Sequence, residues 1–253
     1  MSTKCMVEVL GISMYNRSIE EAIIMVNKSD GDNRCVSATG AHGLVYSKRN
    51  IDFKKILSAF YINLPDGMPS VWVGRLKGAN MMSRCYGPDF FQGMMIHSSK
   101  GLIKHFLCGG TTGVADKLKL ACQANFGNFN IVGTFCPPFS PVDKYDFEGI
   151  ANKINESKAD IVWVGLSTPK QEQFAFYLSK FTKVKYIITV GAAFDFHIGN
   201  VKQAPNWIQS IGMEWFFRLL MEPKRLWKRY FDIVPSFIYY NFAEIIKGEF
   251  FKK

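Results

Sequence analysis

Phe60-Tyr-Ile-Asn-Leu-Pro-Asp-Gly-Met68 is the stretch that decides the fold. Its aromatic and branched aliphatic residues read as a short buried strand, which Pro65-Asp66-Gly67 stops abruptly, and Met68 onward reads as helix. An acid therefore stands at the carboxyl end of a strand, on a turn, just before a helix. In open α/β sheets ligands collect at that edge. A carboxylate there can serve as general base toward a neighbouring hydroxyl. The competing reading is local: Asp before Gly forms turns for backbone reasons alone.

Working outward, the same strand-then-helix rhythm repeats. Strands are expected at Val7–Ile12, Arg34–Ala38, Lys104–Cys108, Phe129–Thr134, Asp160–Val164 and Val184–Val190. Helices are expected at Ser18–Val26, where Ser18-Ile-Glu-Glu21 forms a capping box, and at Leu44–Ser58, Pro69–Leu76, Pro88–Ser98, up to Ala124, Tyr145–Glu156 and from Lys170. The strands are continuous apolar runs rather than alternating ones, which predicts a mainly parallel, Rossmann-like α/β sheet with helices on both faces. Parallel topology places the loops after the strands, rich in Gly, Thr, Asp and Pro, on one edge. From Pro205 the character changes. Trp207, Trp215, Trp227, Tyr230 and many phenylalanines crowd the tail, and Pro223 and Pro235 are expected to divide it into helices. The chain thus reads as residues 1–204, a catalytic α/β domain, and residues 205–253, a helical, basic and aromatic appendage.

Composition narrows the function. Hydrophobic residues make up 48% of the 253 and charged residues 21%, as in a globular protein. The six cysteines form no CxxC pair, which suits reduced thiols, and the four histidines do not fall at metal-ligand spacing. The first residues lack the layout of a signal peptide, and no charge-free apolar run approaches the roughly 20 residues of a membrane span. A formal charge of +10 points to an anionic partner. Between Trp215 and Tyr230 five cations (Arg218, Lys224, Arg225, Lys228, Arg229) face one anion (Glu222), a local net of +4. Cations interleaved with large aromatics suit an anionic membrane surface, or a helical pair with its aromatics inward.

Three loops carry further candidates. Gly109-Gly110-Thr-Thr-Gly113, between a strand and a helix, admits close approach of a diphosphate to backbone, or is simply a tight turn. After the strand that ends at Val164 and Gly165, Ser167-Thr-Pro-Lys-Gln-Glu172 opens a helix, and Gln171 can both donate and accept toward a uracil or a sugar hydroxyl. Thr39 and Asp195 end strands on the same edge. With Asp66 they form a polar ring.

The residues Pro65-Asp-Gly67, Arg84-x-x-Gly87-x-Asp89, Val164-Gly-Leu-x-x-Pro-Lys-Gln-Glu172, Gly191-x-x-Phe-Asp195 and Ala204-Pro205 occur in a fixed order. They are followed by Gly212-x-Glu-Trp-x-x-Arg-Leu-Leu-x-Glu-Pro-x-Arg-Leu-x-x-Arg-Tyr230. Over nearly its whole length the chain resembles the WecG/TagA/CpsF family of bacterial glycosyltransferases (glycosyltransferase family 26). The resemblance implies inverting, metal-independent transfer of a sugar from a UDP-sugar, with no further cofactor, to a sugar carried on undecaprenyl diphosphate. It implies Asp66 as general base and Thr39 as a pocket threonine beside the donor sugar. Gln171 and Asp195 would fall in the nucleotide-sugar pocket. Gly67, Arg84, Gly109, Gly110 and Gly165 are expected to bind substrate with them. Arg218 and Arg225, with a third basic position corresponding to Lys228 and Arg229 adjacent to it, would fold over the site and neutralise the departing diphosphate; a lysine at that third position loses bidentate phosphate geometry. It further implies a cytoplasmic protein, peripheral on the inner face of the membrane through its tail, and cores that assemble into homo-oligomers with the tail displaced.

One departure stands out. Where many members carry Thr-Pro-Asn, this chain has Thr39-Gly40-Ala41-His42-Gly43, which removes a sugar-binding Asn and leaves the donor hexose open. Two other classes share some of these features. A nicotinamide-dependent oxidoreductase would want a GxGxxG fingerprint and a ribose-binding acid, and neither is present. A nucleic-acid-binding module would spread its cations along a groove, whereas here they concentrate beside aromatics, so no nucleic-acid partner is expected.

Overall fold

The computed structural model describes residues 5–28, 31–248 and 250. Six strands make a wholly parallel sheet: β3 (Arg34–Thr39), β4 (Ile62–Pro65), β5 (His105–Gly109), β6 (Ile131–Phe135), β7 (Ile161–Gly165) and β8 (Tyr186–Thr189), in the order β4-β3-β8-β7-β5-β6. Every residue of β4, β5, β7 and β8 is buried. That explains the unbroken apolar runs, since both faces of the sheet are covered.

The expected first strand is instead a hairpin, β1 (Met6–Val9) and β2 (Ile12–Tyr15), paired antiparallel outside the main sheet. Its turn is Leu10-Gly11, with φ of 51° and 77°. A left-handed leucine is disfavoured by roughly 1–2 kcal/mol. Leu10 is 0% exposed, and full burial of a leucine contributes about 1.5–3 kcal/mol, so burial prevails. The hairpin lies along β4 at one edge of the sheet.

Helices α1 (Ile19–Lys28), α5 (Gly87–Ser98), α6 (Val114–Phe126) and α9 (Ala193–His197) pack together over one face, around Trp163, Phe90, Phe91 and Phe194. Helices α3 (Ile51–Ala59), α7 (Phe147–Glu156) and α8 (Lys170–Leu178) cover the other. The single helix expected over Leu44–Ser58 is broken at Asn50 into α2 (Ala41–Arg49) and α3. The Asn50 side chain accepts the Phe53 N–H at 2.9 Å, the ordinary work of an N-cap. Helix α4 (Met68–Leu76) follows β4 directly.

The tail forms α10 (Asn206–Ser210), α11 (Glu214–Met221) and α12 (Pro223–Ile246). Pro235 does not divide it: α12 runs 24 residues straight through. An interior proline costs about 3 kcal/mol. Ile233 and Phe237 flank it and are both 6% exposed, and each buried side chain contributes about 1.5–3 kcal/mol. They seat α12 on α2 in a third core cluster with Leu44, Val45 and Phe53. The bidentate Arg49–Asp232 pair (2.8 and 2.9 Å) joins the same two helices, but its side chains are 39% and 53% exposed. Such pairs contribute at most about 1 kcal/mol, so apolar burial carries the docking. No helix among the described residues is long and apolar enough to cross a membrane.

After β5 the chain turns outward to β6, and after β7 it turns back to β8. The loops behind β5 and β7 therefore part, with α6 on one face and α8 on the other. Crevices at such reversals hold the ligands of open α/β sheets.

Candidate active site

Asp66 follows the last residue of β4. Its N–H donates to the Thr39 carbonyl at 3.2 Å, and its Oδ1 accepts the Gly87 N–H at 2.7 Å, at the amino terminus of α5. Gly87 is needed for that approach, because a Cβ there would stand 2.8 Å from the Val190 carbonyl oxygen. Burial pushes the Asp66 carboxyl up to about 6, against the opposing pull of the Gly87 N–H, Arg84 and Arg218, while Glu214 adds to the rise. The group is thus ionised at neutral pH and is a stronger base than a free aspartate.

The Arg84 guanidinium is held by three hydrogen-bond partners and a ring. Its Nε donates to the Asp66 carbonyl (3.3 Å), Nη1 to Gln209 Oε1 (3.2 Å) and Nη2 to Glu214 Oε2 (2.5 Å), and the plane lies 4.0 Å over the Tyr86 ring. Arg84 therefore fastens the tail to the turn that carries Asp66. Both members of its ion pair are nearly buried, at 14% and 13% exposed, unlike the Arg49 pair.

The tail cations divide into two sets. Arg218 stacks 5.5 Å from the Phe196 ring, its buried Nε makes no hydrogen bond among the described residues, and its charge is felt at Asp66. Arg229 is half-buried. Burial lowers its pKa, with Arg225 and Arg218 acting in the same direction and Tyr230 and Glu222 against it. Beside it, His42 is pulled down to about 4 by burial first and by Arg229 second, and so stays neutral. Like charges gathered in a desolvated place suit a bound anion. Arg225 instead pairs with Glu222 at 2.6 Å on the surface, and Lys228 is exposed over the Trp227 ring at 5.7 Å. Lys228, expected at the third basic position, is thus on the surface, and its neighbour Arg229 is the side chain that turns inward.

The remaining candidates form the floor and rim. Thr39 is 1% exposed and its hydroxyl points down into the sheet, donating to Ser37 Oγ at 2.8 Å. Gln171, also 1% exposed, accepts the Gly191 N–H at 2.9 Å and donates to Thr168 and Glu172. Gly109 and Gly165 face each other across β5 and β7, where a Cβ on Gly109 would lie 2.5 Å from the Gly165 carbonyl oxygen. The Gly110 N–H donates to that same oxygen at 2.9 Å and so is already engaged. Gly67 caps α4 in extended backbone, and Asp195 sits on the rim, accepting from Asn200 at 3.0 Å. Thus Arg84, Arg218 and Thr39 come to Asp66, Arg229 lies beside His42 with Arg218 and Arg225 near it, and Lys228 stands exposed. No cluster of three or more metal-ligating side chains occurs among the described residues.

Sequence reasoning left Ser37, Tyr86, Thr189, Gln209 and Glu214 out of the site. For Ser37 and Thr189 a signal existed: each is a hydroxyl inside an otherwise apolar strand, where an unpartnered polar group is costly. Tyr86 carried no comparable mark.

A strand-end carboxylate of raised basicity beside the tail arginine Arg218 can accept a proton next to a bound anion. The comparisons narrow that chemistry. The model of the glycosyl transferase WecG/TagA/CpsF family matches residues 7–249, and the chain belongs to that family. A protein of Bacillus subtilis strain 168 is 31% identical over 182 residues, covering 72% of this chain and 69% of that protein. One of Bacillus spizizenii strain W23 is 30% identical over 190 residues, covering 75% and 71%. Both relatives are named N-acetylglucosaminyldiphosphoundecaprenol N-acetyl-beta-D-mannosaminyltransferase.

Proposed function

We propose that this glycosyltransferase moves a hexose or N-acetylhexosamine from a UDP-sugar to a sugar carried on undecaprenyl diphosphate, in the synthesis of a bacterial cell-surface polysaccharide. The observation that carries the reading is Asp66, basic and hydrogen-bonded by Gly87, with Arg218 above it. The acceptor hydroxyl attacks the anomeric carbon from the face opposite UDP, Asp66 takes its proton, and the bond to the diphosphate oxygen breaks with inversion. Negative charge then gathers on UDP, where Arg218 and Arg229 stabilise it. Acceptors of this kind are named for both relatives. Gly40-Ala41-His42 replaces the family's Pro-Asn, so the donor sugar of this chain need not be that of the relatives.

The tail supplies a route to a lipid-borne acceptor. Trp207, Phe216, Leu220, Trp227 and Phe231 are all exposed on it, close to Lys224, Arg225 and Lys228. Aromatic and cationic side chains together favour an anionic bilayer surface, which would place the protein on the cytoplasmic face.

The test is a panel of UDP-sugars offered with a lipid-diphosphate-sugar acceptor, with products read by mass spectrometry. One UDP-sugar is expected to be transferred, and UDP is expected to raise the melting temperature. Stabilisation by NAD without stabilisation by UDP would point to the oxidoreductase instead. EDTA is expected to leave the rate nearly unchanged, and strong inhibition reversed by Mg²⁺ would contradict a metal-independent reaction.

A further inference from the structure

Helix α8 carries a carboxylic acid for which the mechanism above has no use. Glu172 is 0% exposed, and it takes part in no ion pair among the described residues. Its Oε1 accepts hydrogen bonds from Ser37 Oγ (3.3 Å), Thr168 Oγ1 (2.9 Å) and Gln171 Nε2 (2.9 Å). Ser37 Oγ in turn accepts from Thr39 Oγ1 (2.8 Å) and Thr189 Oγ1 (3.0 Å). Every one of these donors points toward Glu172, directly or through a single hydroxyl.

Gln171 belongs to α8 itself, and the other donors come from β3, from β8 and from the turn after β7, three strands that are consecutive in the sheet. Ladder pairing among these three ends at Ser37↔Thr189 and Val164↔Thr189, while β3 still pairs with β4 as far as Thr39↔Pro65 and β7 with β5 as far as Gly109↔Gly165. The Glu172 cluster joins the ends of β3, β8 and β7 to one another where their shared pairing stops. Thr39, held through Ser37, receives the Asp66 N–H on its carbonyl. Gln171, held directly, receives the Gly191 N–H.

We propose that Glu172 is a positioning residue for sugar transfer, a hub that ties the ends of β3, β8 and β7 together and so keeps Asp66, Thr168 and Gly191 in mutual register around the donor. The proposal rests on the reading of the chain as a UDP-sugar transferase. Burial pushes the Glu172 pKa up, against the hydrogen bonds from Gln171, Thr168 and Ser37, and its Oε2 is buried without a hydrogen bond among the described residues. All three side-chain hydrogen bonds fall on Oε1, an acceptor that the amide carbonyl of a glutamine reproduces.

Three variants of the full chain test this: Glu172→Gln, Glu172→Leu and Ser37→Ala. Each is compared with the wild type for kcat, for donor KM, for UDP affinity by calorimetry and for melting temperature. Glu172→Gln is expected to keep wild-type kinetics. Glu172→Leu is expected to lose roughly 10²-fold in kcat, the scale of a misplaced reacting group. Ser37→Ala cuts only the branch to Thr39 and Thr189, and is expected to lower kcat roughly tenfold with UDP affinity unchanged. Should Glu172→Leu fail to fold, the other two variants carry the test. Wild-type kcat in Ser37→Ala, or a Glu172→Gln as impaired as Glu172→Leu, overturns the proposal while a UDP-binding, sugar-transferring wild type leaves the function standing. A wild type without UDP affinity overturns both.

Discussion

Asp66→Asn is expected to reduce sugar transfer by roughly 10²–10⁴-fold while leaving UDP affinity nearly unchanged, the scale on which removal of a general base acts. The amide keeps the shape of the side chain and can still accept the Gly87 N–H, so the turn after β4 should survive. What disappears is the lone pair that receives the acceptor proton. The pH profile should report the same group: transfer by the wild type falls as pH drops through about 6, where the carboxylate becomes protonated. Stability moves the other way. Because the folded-state pKa lies above the reference 3.8, the stabilisation associated with this carboxyl is complete below about 3.8 and is lost as pH rises through about 6. Asp66→Asn should therefore raise the melting temperature at neutral pH. An undiminished rate in this variant, measured with saturating acceptor, would take the role of base away from Asp66.

Deleting residues 205–253 should abolish both turnover and binding to anionic vesicles. Arg218 and Arg229 leave with the tail, so charge building on the departing diphosphate loses both inward tail cations. Arg218→Ala alone should reproduce a part of the loss, roughly 10²-fold, because one of two inward arginines remains. The deleted chain should still fold. The two clusters that pack either face of the sheet contain no tail residue, whereas the third loses Ile233, Phe237 and Phe250 and bares Leu44, Val45 and Phe53. Circular dichroism should show a cooperative melt, with apolar dye binding raised by the uncovered patch. A truncated protein that still transfers sugar would show that the tail plays no part in the chemistry.

Much of this architecture could be read from the chain because a buried parallel strand writes itself as an uninterrupted apolar run. Ile161-Val-Trp-Val164 and Tyr186-Ile-Ile-Thr189 are examples, and neither has an exposed residue. The misreadings share one cause: local preference was outweighed by burial. Leu10 in a left-handed turn and Pro235 inside a helix both go against backbone propensity, and only the tertiary contacts of Leu10, Ile233 and Phe237 explain them. Asn50 was different: there an N-cap, its side chain accepting the Phe53 N–H, ends one helix and opens the next. Within the site, residue types at strand ends pointed to Asp66, Thr39 and Gln171. Orientation stayed hidden. Nothing in the spacing of Arg84 says that it reaches for Glu214, 130 residues away, and nothing in Lys228-Arg229 says which side chain faces inward.

That long-range grip has a consequence for inhibition. The guanidinium of Arg84 links the backbone of the base to Gln209 and Glu214 of the tail. A small carboxylate compound that took the place of Glu214 would detach the tail from the turn that carries Asp66. Such a compound would lower kcat.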